Sequence, residues 1–373
     1  MPDSKQFQRI VNRSHVLQKL RVSQGISRIE ISRQLGLDRS TITNLVNPLL
    51  DMSIVKVLSE GTAPSKGGRR PVLLGINENY GSILGIDLQV SSYRAALTNL
   101  NGEILKEWSG DMKFVGLVET ILRIYNKIRD EINDISVPLI GIGVGIPAIV
   151  DTENGFIHKA TSFHLADLDF NSEAEGKFPV PVIIDNDANC CAWGQLERNK
   201  ERKLDNFLNI IWKLHRLEGE EAPEEIEIGM GIVLGGEVYY GSGSASGELP
   251  EDLLARDAAN IYRLVDGGWE IDKEALGVYM DKLFSYLIPI FHVFDPGEIF
   301  FGGHFTRFRE EVEKRMAKSP FKVNFPRTND LDTAYGAASM FVEKLFQTPL
   351  LKGDKEGAEI KEYDLFSRLE QNI

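Results

Sequence analysis

Cysteine is nearly missing from this chain: its 373 residues hold two, Cys190 and Cys191, side by side. Neighbouring cysteines cannot staple distant segments or supply the spaced ligands of a structural zinc site, so both read as small buried apolar residues. A long hydrophobic run is missing too. The longest, "LIGIGVGIPAIV" from Leu139, is short and glycine-rich, whereas a bilayer span needs ~20 apolar residues. The N-terminal "MPDSKQFQRIVNR" has no apolar core of the kind a signal peptide carries, and a cytoplasmic location is expected. No low-complexity tract is present. With 42% hydrophobic and 26% charged residues the composition is globular, and the length predicts two or three domains.

Acids are scarce at one end only. Residues 1–75 carry 12 Lys and Arg against 5 Asp and Glu, the other 298 residues carry 30 against 50, and the formal net charge is −13. A basic head on an acidic body is the asymmetry expected when only the head meets a polyanion.

The head predicts three helices. Val11, Val16, Leu17 and Leu20 have helical spacing, and Gly25 stops the run. Ser27 and Glu30 make a capping box for a second helix that ends at Gly36. The third opens on Asp38, places Ile42, Leu45, Val46, Leu49 and Leu50 on one apolar face, and presents Arg39, Ser40, Thr41, Thr43, Asn44 and Asn47; Pro48 is expected to kink or end it. Two short helices joined by "GLD" form a helix-turn-helix, whose second helix reads the major groove. Arg and Asn can bond bidentately to guanine and adenine edges, while Ser and Thr reach phosphates.

Next, "SIVKVLSE" and "RRPVLLGIN" have strand composition, separated by a glycine-rich basic stretch containing Lys66, Arg69 and Arg70. That pattern predicts a winged helix with DNA-contacting residues at the wing tip; a flexible basic linker is the bland alternative. A nucleotide P-loop fails on order, because Lys66 precedes Gly67 and Gly68, and Arg69-Arg70-Pro71 leads into a strand.

From Ser82 the pattern is strands alternating with helices and glycine turns, which argues for α/β lobes. The markers are an Asn101-Gly102 hairpin turn, a helix over 117–132, the strand "LIGIGVGIPAIVD", and "VPVIIDNDANCCAWGQLE" running from a buried strand into a helix capped at Asn186 or Asp187.

The motifs "GIGVGIPAIVD", "DNDANCCAWGQLE", "GSGSASGELP", "DPGEIFFGG" and "TAYGAASM" resemble, in order and spacing, the ROK family of sugar-responsive repressors and sugar kinases. The resemblance covers nearly the whole chain, including the winged helix that family repressors such as xylose repressors carry and family kinases usually lack. It implies a two-lobed actin-like or hexokinase-like (ribonuclease H-like) ATPase fold behind the winged helix-turn-helix. The expected divisions are 1–78 for the head, 79–200 completed by about 333–373 for the first lobe, and 201–332 for the second.

By the same resemblance Asp187 is the carboxylate that takes the sugar proton in kinases, and Asn186 and Glu248 are sugar ligands. Asp87 stands near the metal and phosphates, and Gly302 and Gly303 stand beside adenine. Each residue also has a plain reading: a helix cap for Asn186 and Asp187, a solvated loop acid for Glu248, a strand-end acid for Asp87, turn punctuation for the two glycines.

The chain departs from the kinases at both phosphate loops. Leu88, Gln89 and Val90 follow Asp87 where kinases have Gly-Gly-Thr, and an insertion with Glu218, Glu220, Glu221, Glu224, Glu225 and Glu227 crowds the second loop with charge that repels ATP. The family's zinc site is absent as well, since "GELPE" puts Glu251 at the histidine position and its cysteine run is missing. No cofactor is expected.

These features point to a sugar-responsive transcriptional regulator, a repressor of carbohydrate genes, whose partners are a double-stranded DNA operator, a small sugar effector and a second copy of itself in a homodimer or higher oligomer, with no membrane involved. The alternative is an ATP-dependent glucose or N-acetylglucosamine kinase that uses Asp187 as base with MgATP.

Overall fold

The computed structural model describes residues 4–23, 25–60, 70–202, 204–215, 225–249, 261–265, 268–326 and 330–347. The head is three helices, α1 (Ser4–Val22), α2 (Arg28–Leu35) and α3 (Arg39–Asp51), and a small sheet of β1 (Ile26–Ser27), β2 (Val55–Glu60) and β3 (Val72–Ile76) in the order β1-β3-β2, all antiparallel. The Ser27–Glu30 capping box forms, and Gly36 closes α2 in the left-handed conformation. This is the winged helix. Its strand β1 had no sequence signal, because two residues are too few for a period of two to show.

Pro48 does not act as expected, since α3 runs on to Asp51. Its ring falls in the last turn, where one lost hydrogen bond is offset by the burial of Leu49. Asp38 is the N-cap of α3 by its backbone angles but makes no side-chain cap bond.

The body holds two five-stranded sheets. The first is ordered β11-β7-β4-β5-β6, from β4 (Ser82–Leu88), β5 (Ser92–Asn99), β6 (Ile104–Asp111), β7 (Leu139–Ile146) and β11 (Val182–Asn186). The second is β14-β13-β12-β17-β18, from β12 (Phe207–His215), β13 (Glu225–Leu234), β14 (Glu237–Val238), β17 (Glu298–Gly303) and β18 (Lys322–Asn324).

Taken in chain order, each sheet has the arrangement 3-2-1-4-5: two antiparallel hairpin steps, then two parallel strands beyond the first. The body is thus one α/β plan used twice, as in actin-like folds. Between β7 and β11 lie a small sheet of β8 (Ile149–Asp151), β9 (Phe156–Ala160) and β10 (Leu165–Asp169) and the short α5 (Phe170–Ala174). Helix α4 (Leu117–Asn133) covers the first sheet with Ile121, Ile124, Ile128 and Ile132, spaced as one helical stripe. On the second sheet α7 (Lys273–Phe294) and α8 (Arg309–Met316) bury Leu283, Leu287, Phe291 and Val312 against β12 and β17, and β15 (Tyr262–Val265) with β16 (Gly268–Ile271) forms a separate ribbon. No described helix is long and apolar enough to cross a membrane.

Two helices join these parts: α6 (Asp187–Arg198) and α9 (Asp332–Phe346) pack on each other, α9 on β4 and β7, α6 on β12 and β13. The contact is backbone against backbone. A Cβ at Gly336 would lie 1.7 Å from the Cys190 carbonyl oxygen, one at Gly85 1.8 Å from that of Ala334, and one at Gly143 2.0 Å from that of Ala337. Small residues here are a steric requirement, and the two buried cysteines belong to the same packing.

Gly336→Ala should therefore destabilise the fold by about 3 kcal/mol or more, above the usual overpacking cost because the clash is with backbone. Gly277→Ala in α7, where nothing lies within 4 Å, should instead gain about 1 kcal/mol. Urea unfolding of the two variants separates the cases; equal effects would mean that α6 and α9 can part to admit a methyl group.

Candidate functional site

The cleft forms where strand ends meet. Asp87 pairs with Gly145 across β4 and β7, and Asp185 pairs with the same Gly145 across β7 and β11, so both acids sit on one edge of the first sheet. In open α/β sheets this carboxyl edge is where ligands bind.

Asn186 is the N-cap of α6: its Oδ1 accepts from the Ala188 and Asn189 amides at 2.8 and 3.1 Å. Its Nδ2 donates to the Ala148 carbonyl at 3.0 Å and to Glu248 Oε1 at 3.1 Å. The capping role and the contact between the two expected sugar ligands thus hold together. Glu248 reaches this position because Gly247, at φ 83°, lets the backbone pass so close to Met230 that a Cβ would lie 1.8 Å from its carbonyl oxygen.

Asp187 opens α6 as its first helical residue, buried beside Asp87. Between them stands Lys213 of β12, whose Nζ lies 2.7 Å from Asp187 Oδ2 and 3.2 Å from Asp87 Oδ1. Both aspartates are buried, and the lysine is 14% exposed. Gln89 donates to the same Asp87 oxygen. Glu227, opposite Lys213 on β13, accepts from Ser162 Oγ, a second tie between the two halves.

Burial works against the charge on Lys213, but Asp187 and Asp87 outweigh it and hold the ammonium protonated. Burial raises the Asp187 carboxyl, with Lys213 pulling the other way. We take the pair as ionised, since each charge has its partner within hydrogen-bond distance. The Asp187 oxygen that faces Lys213 is occupied by the ammonium, which supplies the positive charge that two buried acids require.

The sequence reading passed over Lys213. Its signal was there: one cation in "FLNIIWKLH", next to residues as buried as Ile210, Ile211 and Trp212. A second unread group is Asp185, which accepts from the Tyr240 hydroxyl at 2.7 Å while that hydroxyl accepts from Trp193 Nε1 at 3.2 Å. Burial raises both the Asp185 carboxyl and the Tyr240 phenol.

The residues expected beside a nucleotide divide. Gly302 and Gly303 end β17, and Gly303, at φ 60°, runs so close to Trp212 that a Cβ would lie 2.3 Å from its carbonyl oxygen. Asp332 faces this edge, its carboxyl pushed up to about 7 by burial with Arg198 opposing. Of the acidic insertion, Glu225 and Glu227 belong to β13, so the segment is in part an extended hairpin; Glu218, Glu220, Glu221 and Glu224 lie outside the described residues. Among the described residues no group of three or more His, Cys, Asp or Glu could hold a metal ion, and Glu251 lies outside them.

On the head, Arg39, Ser40, Asn44 and Asn47 are exposed along one face of α3, with Thr41 and Thr43 half-buried at its flanks. Thr43 Oγ1 donates to the Arg39 carbonyl at 2.8 Å, and Arg28 donates to Asn47 at 3.1 Å. Arg70 is exposed at the start of the returning strand; Lys66 and Arg69 lie outside the described residues.

A model of the ROK family matches residues 83–250. The xylose repressor of Caldicellulosiruptor bescii (strain ATCC BAA-1888 / DSM 6725 / KCTC 15123 / Z-1320) is 31% identical over 243 residues, 64% of this chain and 57% of that protein. The chain therefore spans somewhat over half the length of this curated relative. Among solved structures, a ROK family transcriptional regulator homologous to the E. coli MLC protein matches with a TM-score of 0.70 at 20% identity, covering 91% of this chain and 97% of that one. A ROK family glucokinase from Streptomyces griseus, solved with glucose and AMPPNP, matches at 0.52 and 17% identity over 70% of this chain and 99% of that one. At these identities the structures establish the fold.

Asp332 gives the cleft a pH signature. Its folded value of about 7 exceeds the ordinary 3.8, so the folded chain holds a proton that the unfolded chain releases, and its contribution to stability is lost as pH rises through that window. Across it, wild-type stability relative to Asp332→Asn should fall by at most about 1.4 kcal/mol per pH unit. Parallel stability curves for the two proteins between these limits would show that Asp332 titrates normally.

Proposed function

This chain belongs to the ROK family, and from that premise we propose that it is a DNA-binding transcriptional regulator, a repressor of carbohydrate genes that responds to a sugar in the cleft between its two sheets. The observation that carries this reading is the winged helix at its N-terminus, with Arg39, Ser40 and Asn44 exposed on the recognition helix. Its basic charge, on an otherwise acidic chain, favours contact with phosphates through that end alone.

Within the cleft, Asn186, Asp187 and Glu248 supply donors and acceptors suited to sugar hydroxyls. Lys213 argues against phosphoryl transfer, because the carboxylate that would act as base is paired with its ammonium. The same ammonium would have to be displaced before a metal-bound phosphate could stand beside Asp87. A homodimer would set two recognition helices on two half-sites about one helical turn apart, which strengthens the grip of a small module.

Fluorescence anisotropy with DNA flanking its own gene, at about 50 and 200 mM salt, tests this reading. Specific, salt-sensitive binding is expected. Arg39→Ala and Asn44→Ala should each lose about 1–3 kcal/mol on the preferred site and relax its sequence preference, whereas Arg69→Ala with Arg70→Ala should weaken binding on all sequences alike. Sugar-dependent turnover of MgATP by the wild-type chain, with no preference over random DNA, would overturn the regulator in favour of a kinase.

A further inference from the structure

The head is fastened to the body by an ion triad in which Arg21 and Glu197 are buried and Glu343 is partly exposed. Arg21, in the last turn of α1, directs one guanidinium nitrogen to Glu197 at the end of α6 and the other to Glu343 near the end of α9. The arginine is 8% exposed and Glu197 3%, and Phe346 of α9 lies beneath the guanidinium with 5.8 Å from its Cζ to the ring centre. Glu197 also accepts from Lys200 Nζ at 2.6 Å, and that ammonium donates to the Asn101 carbonyl, at the hairpin turn of the first sheet, at 2.8 Å. One carboxylate thus links the head, α6 and the first sheet.

The other end of α6 is the cleft. Its N-cap Asn186 touches Glu248, and its first residue Asp187 holds Lys213. The helix spans ~18 Å from one end to the other. Most of its residues are buried, and its backbone contact with α9 at Gly336 ties the two helices so that neither slides alone. Arg21 grips both members of that pair. It reaches both helices through charged groups, and it forms a wall of two cavities, about 230 Å³ beside Trp193 and Gly235 and about 240 Å³ beside Leu58 and Glu78. Its Nε is buried without a hydrogen-bond partner, so the guanidinium is held by its two outer nitrogens in surroundings with room to shift.

We propose that Arg21 is the positioning residue for the head: it couples the attitude of the DNA-contacting helices to the α6–α9 pair, whose far end is set by what occupies the cleft. This rests on the regulator reading for its purpose, but the coupling itself is a property of the chain and needs neither DNA nor sugar to be seen. Burial opposes the charge on Arg21, and Glu197 with Glu343 more than restores it, so the guanidinium stays charged.

The test is a double-mutant cycle read by hydrogen exchange in the full chain. Lys213→Met, or Asp187→Asn as the milder change, disturbs the cleft end of α6; Arg21→Gln, or Arg21→Lys as the variant that keeps the charge but loses the fork, uncouples the other end. With Arg21 present, the cleft substitution should speed exchange of the amides in the second half of α1 about tenfold, an opening local to the head. In the Arg21→Gln background it should leave them unchanged from Arg21→Gln alone. A purely structural Arg21 predicts additive effects, and additivity, or no response of α1 in either background, overturns the proposal. Anisotropy on the same proteins keeps the two readings apart: coupling without DNA binding removes the regulator and leaves Arg21 in place, whereas DNA binding without coupling does the reverse.

Discussion

Helices α6 and α9 touch backbone to backbone, and the rest of the structure depends on that contact. Gly336 meets the Cys190 carbonyl with no space for a side chain, and Gly85 and Gly143 let α9 settle equally close on the first sheet. Dispersion falls off steeply with distance, so such an approach yields dense packing but tolerates little adjustment. The pair therefore behaves as one stiff element, and everything with chemical interest is attached to it. The cleft acids stand at one end of α6. The head is held at the other.

Charge in the cleft follows from this placement. Asp87 and Asp187 come from different elements and would repel each other in a buried space. Lys213 arrives from the second sheet and satisfies both, so the contact between the two sheets also neutralises the acids. A binding protein can work in that way, because a sugar hydroxyl needs oriented hydrogen-bond partners and no free base. The cost of that arrangement is a carboxylate oxygen already occupied by an ammonium, which a phosphotransferase would first have to free.

Much of this was legible locally. The capping box of Ser27 and Glu30, the stop at Gly36, the Asn101-Gly102 turn, the helix over 117–132 and the cap at Asn186, one of the two positions expected for it, are written within a few residues. What was hidden depends on distant partners. Lys213 is an ordinary strand residue until Asp87 and Asp187 are brought to it, and Arg21 reads as one more base of a basic head until α6 and α9 deliver two carboxylates. Charge counting includes Arg21 among the bases of the head, while the fold turns it inward. Pro48 and the strand character of Glu225 and Glu227 were obscured for the converse reason: local rules for proline and for charged loops gave way to burial of Leu49 and to pairing with β12.

In the proposed regulator, occupancy of the cleft changes the grip of the head on DNA. The direct measurement is the affinity of the wild-type chain for its preferred duplex as uncharged monosaccharides are titrated in, at fixed salt. One of them should weaken binding between about 5- and 150-fold, the usual range of coupling between two sites, and the same sugar should lose its effect on Asn186→Ala. A chain that binds its duplex tightly and keeps the same affinity with every sugar would contradict the account.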